Sequence, residues 1–264
     1  MGQGKTGQDG ARRRGTERNG TMERPDVQNA TSDAPRNRGE RTLRNPERTQ
    51  ERILIAARDE FSQKGLGGAR VNAIAEAAGV NKQLLYYYFE DKETLYTAVL
   101  EQVYRDIRER GGTLDLDALS PDVAMAAFIR SNFDFLVENR HFVALVNDAN
   151  IHKARHIKAS EQIPALHSAL RENLEKTLER GLAEGCFARW VDPMELYISI
   201  ASLTYFSFSN TFTLSTIFGT DVSSVERMAE RRERIVDIIL CFLSTPAKDA
   251  PPGSEGSASA SPSG

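Results

Sequence analysis

Apolar residues recur every three or four positions between Pro46 and Thr245, and no stretch alternates in the rhythm of a half-buried strand. The pattern predicts helices throughout. Asn45-Pro46-Glu47 puts a capping side chain, a proline at the first helical position and an acid in the first turn. Ile53, Leu54, Ala57 and Phe61 then supply one apolar face before Lys64-Gly65 ends the helix. Two short helices follow, around Val71 to Ala78 and Lys82 to Tyr88, separated by Gly79. Asp91 caps a longer helix with Leu95, Val99, Val103 and Ile107 at four-residue spacing, up to the break at Gly111-Gly112. Five more helices are expected over about Pro121 to Glu138, His141 to Asn150, Ser160 to Glu184, Pro193 to Phe218 and Val222 to Leu243. There is no repeat of solenoid length.

Composition divides the 264 residues. Residues 1–45 hold no aromatic side chain and seven glycines, and the stretch 246–264 is rich in Pro, Ser, Gly and Ala, so both are expected to be disordered. The first 45 residues carry ten Lys/Arg against six Asp/Glu, a net of +4, within a chain whose total is −3. The folded part is therefore acidic, and nucleic-acid binding has to come from locally placed cations, with the basic arm as an auxiliary. Leu196 to Thr220 is 25 residues without a charge, but eleven of them are Ser, Thr or Asn, which suits a central helix better than a bilayer. No apolar leader is evident, and Cys186 and Cys241 stand alone in helical contexts, so a reducing cytoplasm is expected.

Three helices within about 45 residues, with a tight turn between the second and third, have the layout of a helix-turn-helix. Ala75 is small where helices approach, Gly79 suits a positive backbone angle, and Ile74, Val80 and Leu85 fill the interior. Asn81 caps the third helix, whose exposed order Lys82, Gln83, Leu84, Tyr86, Tyr87 offers a cation, an amide and phenols to base edges and phosphates. The run Ile74-Ala75-Glu76-Ala77-Ala78-Gly79-Val80-Asn81-Lys82, continuing Leu85-Tyr86-Tyr87-Tyr88-Phe89 and Asp91-Lys92-Glu93-Thr94-Leu95, resembles the N-terminal domain of TetR-type transcriptional regulators. The later helices resemble that family's C-terminal domain in number, length and order.

The resemblance implies an all-α protein: a helix-turn-helix DNA-binding domain over 46–95 joined to a larger ligand-binding and dimerisation domain over 96–245. It implies a homodimeric repressor, released from a palindromic operator by a small, largely apolar ligand. Tyr86 and Lys92 are similar to residues that grip phosphate, and Lys82, Gln83, Leu84 and Tyr87 occupy base-edge or backbone-facing positions. Two departures stand out. Arg70 replaces the usual Ser or Thr that caps the second helix, which leaves a phosphate contact as its role, and Tyr88 stands where His is common.

For the effector, Met125, Phe128, Ile129, Asn132 and Leu136 form one helical face with an amide in its middle, and Tyr205, Phe206 and Asn210 add rings and a second amide. Aromatic or fused-ring ligands fit these residues, and strongly anionic ones are disfavoured because only Arg130 interrupts the stripes. A homodimer is expected from the last two long helices, through Val225, Met228, Ile235, Ile239 and Phe242. Asp148, His152 and His156 share a face if their helix is unbroken, but Lys153, Arg155 and Lys158 oppose a cation there, so neither metal nor other cofactor is expected. No nucleophile elbow, phosphate loop or paired carboxylates occur. An all-helical enzyme with a dispersed site, or a scaffold using the motif only for packing, is the alternative.

Overall fold

The structure is a computed structural model and describes residues 45–246. The basic arm and the C-terminal stretch lie outside those residues, apart from Asn45 and Pro246. Eleven helices and one 3-10 turn, with no strand, make up the described residues. They are α1 Pro46–Gly68, α2 Val71–Ala77, α3 Lys82–Tyr88, α4 Lys92–Gly112, the 3-10 turn Leu116–Ala118, α5 Pro121–Glu138, α6 Arg140–Ile151, α7 Arg155–Ala159, α8 Gln162–Ala183, α9 Pro193–Ser209, α10 Thr211–Phe218 and α11 Val225–Ser244.

Local chemistry sets the starts. Asn45 Oδ1 accepts from the Arg48 amide at 3.1 Å, Asn81 Oδ1 from Leu84 at 2.7 Å and Asp91 Oδ1 from Thr94 at 2.7 Å. Each bond satisfies an amide that the first helical turn leaves open. Asp192 caps α9 in the same way, through the amides of Met194 and Glu195.

One hydrophobic core runs the length of the described chain, from Ile53, Phe61, Ile74 and Leu85 through Leu95, Val99, Val103 and Ile107 of α4 to Met125, Ile129, Leu174 and Ile239. The shared helix is α4. At its first turns it packs against α1, and farther along against α5 and α8. A second tie runs through α6, where Asp148 Oδ2 accepts from the Leu66 amide at 3.1 Å and from Tyr96 Oη at 2.7 Å. Burial, followed by the neighbouring Asp148 carboxylate, holds the Tyr96 phenol protonated well above its ordinary range. Gly65, with φ of +65°, is required here: a Cβ on it would stand 2.5 Å from Asp148 Oδ1.

Three expectations need correction. The uncharged stretch from Pro193 to Phe218 is two helices, broken at Asn210, whose backbone (φ −114°, ψ 16°) leaves the helical well. No helix of the described residues is long and apolar enough to cross a membrane. The helix carrying Asp148 stops at Ile151, and Lys153 and Ala154 both turn left-handed (φ 55°) before the short α7. Asp148, His152 and His156 therefore do not share one helical face. His156 is buried against Glu93, through Nε2 and Oε2, and Asp148 is used in tying α6 to α1. Finally, Met228, Ile235 and Ile239 are buried in the chain's own core, so the stripe read on α11 faces inward, while Val225 and Phe242 point out.

Candidate nucleic-acid interface and internal cavity

The turn between α2 and α3 is built around Gly79, whose φ of +64° suits a residue without Cβ. The Val80 amide closes it on Ala75 O at 2.9 Å, and Arg52 of α1 donates to Gly79 O at 3.3 Å. Ile74, Ala75 and Leu85 are buried between the helices. Lys82, Gln83, Tyr86 and Tyr87 are left on the outside of α3, Tyr87 being 79% exposed, and Leu84 is half-buried beside them. The Lys82 ammonium lies 5.6 Å from the centre of the Tyr86 ring. Tyr88 departs from this face: it packs against the core and meets Tyr87 edge-on at 5.4 Å.

Arg70 is exposed and makes no side-chain cap on α2. Its amide instead donates to Glu60 Oε1 of α1 at 3.1 Å, and Glu60 also receives the Lys64 ammonium at 2.9 Å. The Lys64 contact chiefly, with the Arg70 amide behind it, holds the Glu60 carboxyl below its usual range. Sequence reading missed Glu60, because the group replacing a local cap sits ten residues upstream. Lys92 is also placed differently from expectation. Its Nζ donates to Leu66 O at 2.7 Å and Ala69 O at 3.3 Å, joining the first turn of α4 to the chain between α1 and α2, and only one of three donors is left over.

Two small cavities lie in the C-terminal part. One, of about 90 Å³, is lined by Ile107, Arg108, Phe128, Asn132, Leu170 and Asn173 among others; the other, of about 50 Å³, by Ile107, Asn132, Phe142, Tyr197, Thr204 and Tyr205 among others. Ile107 and Asn132 border both. Of the expected lining residues, Asn132 borders both cavities, Phe128 the first only and Tyr205 the second only. The Asn132 amide is partly self-satisfied, donating to Phe128 O at 2.9 Å, and the single Tyr205 hydroxyl hydrogen is shared between Val143 O at 3.0 Å and Asn147 Oδ1 at 2.9 Å.

The other three expected lining residues lie elsewhere. Met125 is fully buried in the core. Phe206 is 54% exposed and lines an outward groove between α9 and α11, and Asn210 bonds Phe206 O and Ser209 Oγ at the break between α9 and α10. The break at Asn210 and the outward turn of Phe206 are what separate them from Asn132.

Arg130, the cation noticed on the stripe, pairs with Glu233 of α11 through contacts down to 2.6 Å, and Arg232 pairs with Asp134 at 2.8 Å. The cation at the cavity is Arg108, which sequence reading passed over. The only signal was its place next to Ile107 on α4; its neighbours come from α8 and α9. Arg108 Nη2 donates to Tyr197 Oη at 2.8 Å and lies 3.0 Å from His167 Nε2. His167 Nδ1 lies 2.8 Å from Ile163 O, a contact that needs hydrogen on Nδ1, so Nε2 keeps its lone pair for Arg108. Burial holds the His167 imidazole below its ordinary value, consistent with the neutral ring.

Among known proteins, residues 53–99 match the family model described as bacterial regulatory proteins, tetR family, and residues 121–239 match the tetracyclin repressor-like C-terminal domain. The HTH-type transcriptional repressor NicS of Pseudomonas putida is 32% identical over 194 residues, covering 74% of this chain and 92% of that relative. The HTH-type transcriptional regulator RutR of Escherichia coli K12 is 59% identical over 51 residues, 19% of this chain and 24% of that one. The crystal structure of SCO4942 from Streptomyces coelicolor shares the fold at a TM-score of 0.58 and 24% identity, over 75% of this chain and 99% of that chain. A helix-turn-helix with Lys82, Gln83, Tyr86 and Tyr87 outward, a larger helical part behind it and a relative matched over nearly its whole length make this chain a member of the TetR family of bacterial regulatory proteins.

Proposed function

We propose that the protein is a homodimeric repressor acting in the cytoplasm, bound to a palindromic operator through α3 and released by a small molecule held in the C-terminal part. The division at about residue 95, with DNA binding before it and effector binding and dimerisation after it, belongs to the same reading. The observation that carries the reading is the course of α4. Its first residue, Lys92, is bonded to the carbonyls of Leu66 and Ala69 beside the helix-turn-helix, and its last turns supply Ile107 and Arg108 to the cavity. Sixteen residues of helix, about 24 Å, separate these points on one rigid rod. A ligand that moves the far end of α4 shifts the near end and changes how α3 meets the groove. NicS, named as a repressor, supports the direction of control.

The dimer face in this reading is the outer side of α9 and α11, which carry the exposed side chains Ile198, Phe206, Ile238 and Phe242. For DNA, Gln83 and Tyr87 are assigned to base edges, with Lys82, Leu84 and Tyr86 beside them; Arg70 and Tyr86 are assigned to phosphates, and Lys92 and Tyr88 support α3 from behind. An operator titration with DNA flanking the gene, repeated with compounds that raise the melting temperature, tests the coupling. A compound of about 2 to 3 kcal/mol differential affinity weakens operator binding by roughly 30- to 150-fold. Compounds that stabilise the fold yet leave operator affinity unchanged at saturation contradict it.

A further inference from the structure

The cavity at the far end of α4 holds a cation whose contacts are all neutral. Arg108 Nη2 meets the Tyr197 hydroxyl and the His167 lone pair, and the guanidinium carbon lies 5.1 Å from the centre of the Tyr197 ring. Arg108 Nε is buried and has no hydrogen-bond partner. Among the described residues Arg108 forms no salt bridge. Arg108 as a whole is half-buried, but a guanidinium remains charged at any ordinary pH and a buried donor such as its Nε is normally paired. Even with side chains 42% and 31% exposed, Arg130 and Arg232 are each held by a carboxylate. Arg231 also has a buried, unbonded Nε, but it lies in the open groove between α9 and α11, on the side assigned to the dimer.

We propose that the counter-charge for Arg108 comes from the effector, and that the cavity takes a small single-ring carboxylate. The carboxylate accepts from the unpaired Arg108 Nε and takes over one Nη2 hydrogen now given to Tyr197 Oη or His167 Nε2, a two-point geometry that guanidinium offers and ammonium does not. The ring packs against Ile107, Phe128 and Leu170, and the amides of Asn132 and Asn173 meet polar ring substituents. Size sets the class: the cavities of about 90 and 50 Å³ have Ile107 and Asn132 in both linings, and even added together they fall short of the ~150 Å³ known to accommodate benzene, so a single ring is the upper limit. Fused-ring ligands, which the apolar stripes suggested, do not fit this volume. The inference rests on the reading of the chain as an effector-released regulator, and it reverses the expectation that anions are disfavoured.

Calorimetric titration of the full chain with benzoate and with its neutral counterpart benzamide tests it, using wild type, Arg108→Met and Arg108→Lys. Benzoate is expected to bind wild type at least about 30-fold more tightly than benzamide, and Arg108→Met to lose that preference. Arg108→Lys, which keeps the charge without the fork, retains only part of it, and serves if the Met variant fails to melt cooperatively. Wild type that binds neither compound, or both alike, overturns the proposal, as does Arg108→Met with the preference intact. An operator titration with the same compounds separates the two readings. Benzoate bound through Arg108 with operator affinity unchanged leaves the carboxylate site standing and overturns release by effector. Operator release by benzamide and not by benzoate does the opposite.

Discussion

Arg70 stands where a hydroxyl would cap α2, and the fold compensates through Glu60 of α1, whose carboxylate takes the Arg70 amide while held by Lys64. Lys92 shows the same economy, with its ammonium committed to two carbonyls of the α1–α2 connection. Lys92→Ala is therefore expected to cost about 1 to 3 kcal/mol of stability, seen as a lower denaturation midpoint, because hydrogen bonds from a charged donor to half-buried carbonyls are lost. Its operator binding should weaken for all sequences alike, with the salt slope unchanged; a slope reduced by about one phosphate contact would restore the direct grip read from the motif. A pH effect follows from burial of His141 and His167, which desolvation holds below the ordinary histidine value near 6.5. The unfolded chain takes up protons that the folded one refuses, so stability present above about pH 6.5 is lost as pH falls through the lowered folded values. The melting temperature should drop between pH 7 and 5, and the double variant His141→Gln/His167→Gln should flatten that drop in a thermal melt.

Among the helices, those with strong local punctuation were legible in the sequence. Asn45, Asn81 and Asp91 announce α1, α3 and α4, and each makes the expected capping bond. The break at Asn210 was not legible, because a run rich in Ser, Thr and Asn contains neither Gly nor Pro at that point, and polar side chains that bond back to the preceding turn occur all along it. The stop before α7 was hidden for a related reason: Lys153 and Ala154 adopt left-handed angles without the glycine that usually signals them. The outer side chains of α3 were readable from helical spacing, except that Tyr88 turns to the core. The cavity was half readable, since Phe128 and Asn132 share a stripe, whereas Arg108 acquires its meaning only from His167 on α8 and Tyr197 on α9. At this scale the junction of α1 with α6 makes the clearest prediction. Gly65→Ala places a Cβ at φ +65° and 2.5 Å from Asp148 Oδ1, so it should destabilise by about 1 to 3 kcal/mol. Urea unfolding measures this, and a midpoint equal to wild type would mean that α6 does not hold α1 as described.

For the molecule as a whole, α9 and α11 leave several large apolar side chains in water, with Phe206 54% and Val225 81% exposed, which suits a face covered by a second copy. Sedimentation should therefore give about twice the mass of one chain, and Ile238→Glu, which places a charge on that side, should shift the equilibrium toward one chain. Unchanged sedimentation of the variant would place the interface elsewhere. Two copies related by a two-fold axis present two α3 helices, so half-sites about one helical turn apart, or a multiple of it, are required. Footprinting of the chain on DNA flanking its gene tests the central claim most directly. The account predicts one protected region with two symmetric half-sites, strongly weakened by Gln83→Ala/Tyr87→Ala while the far-ultraviolet dichroism is unchanged. No protection, or protection that survives the loss of both side chains, would contradict it.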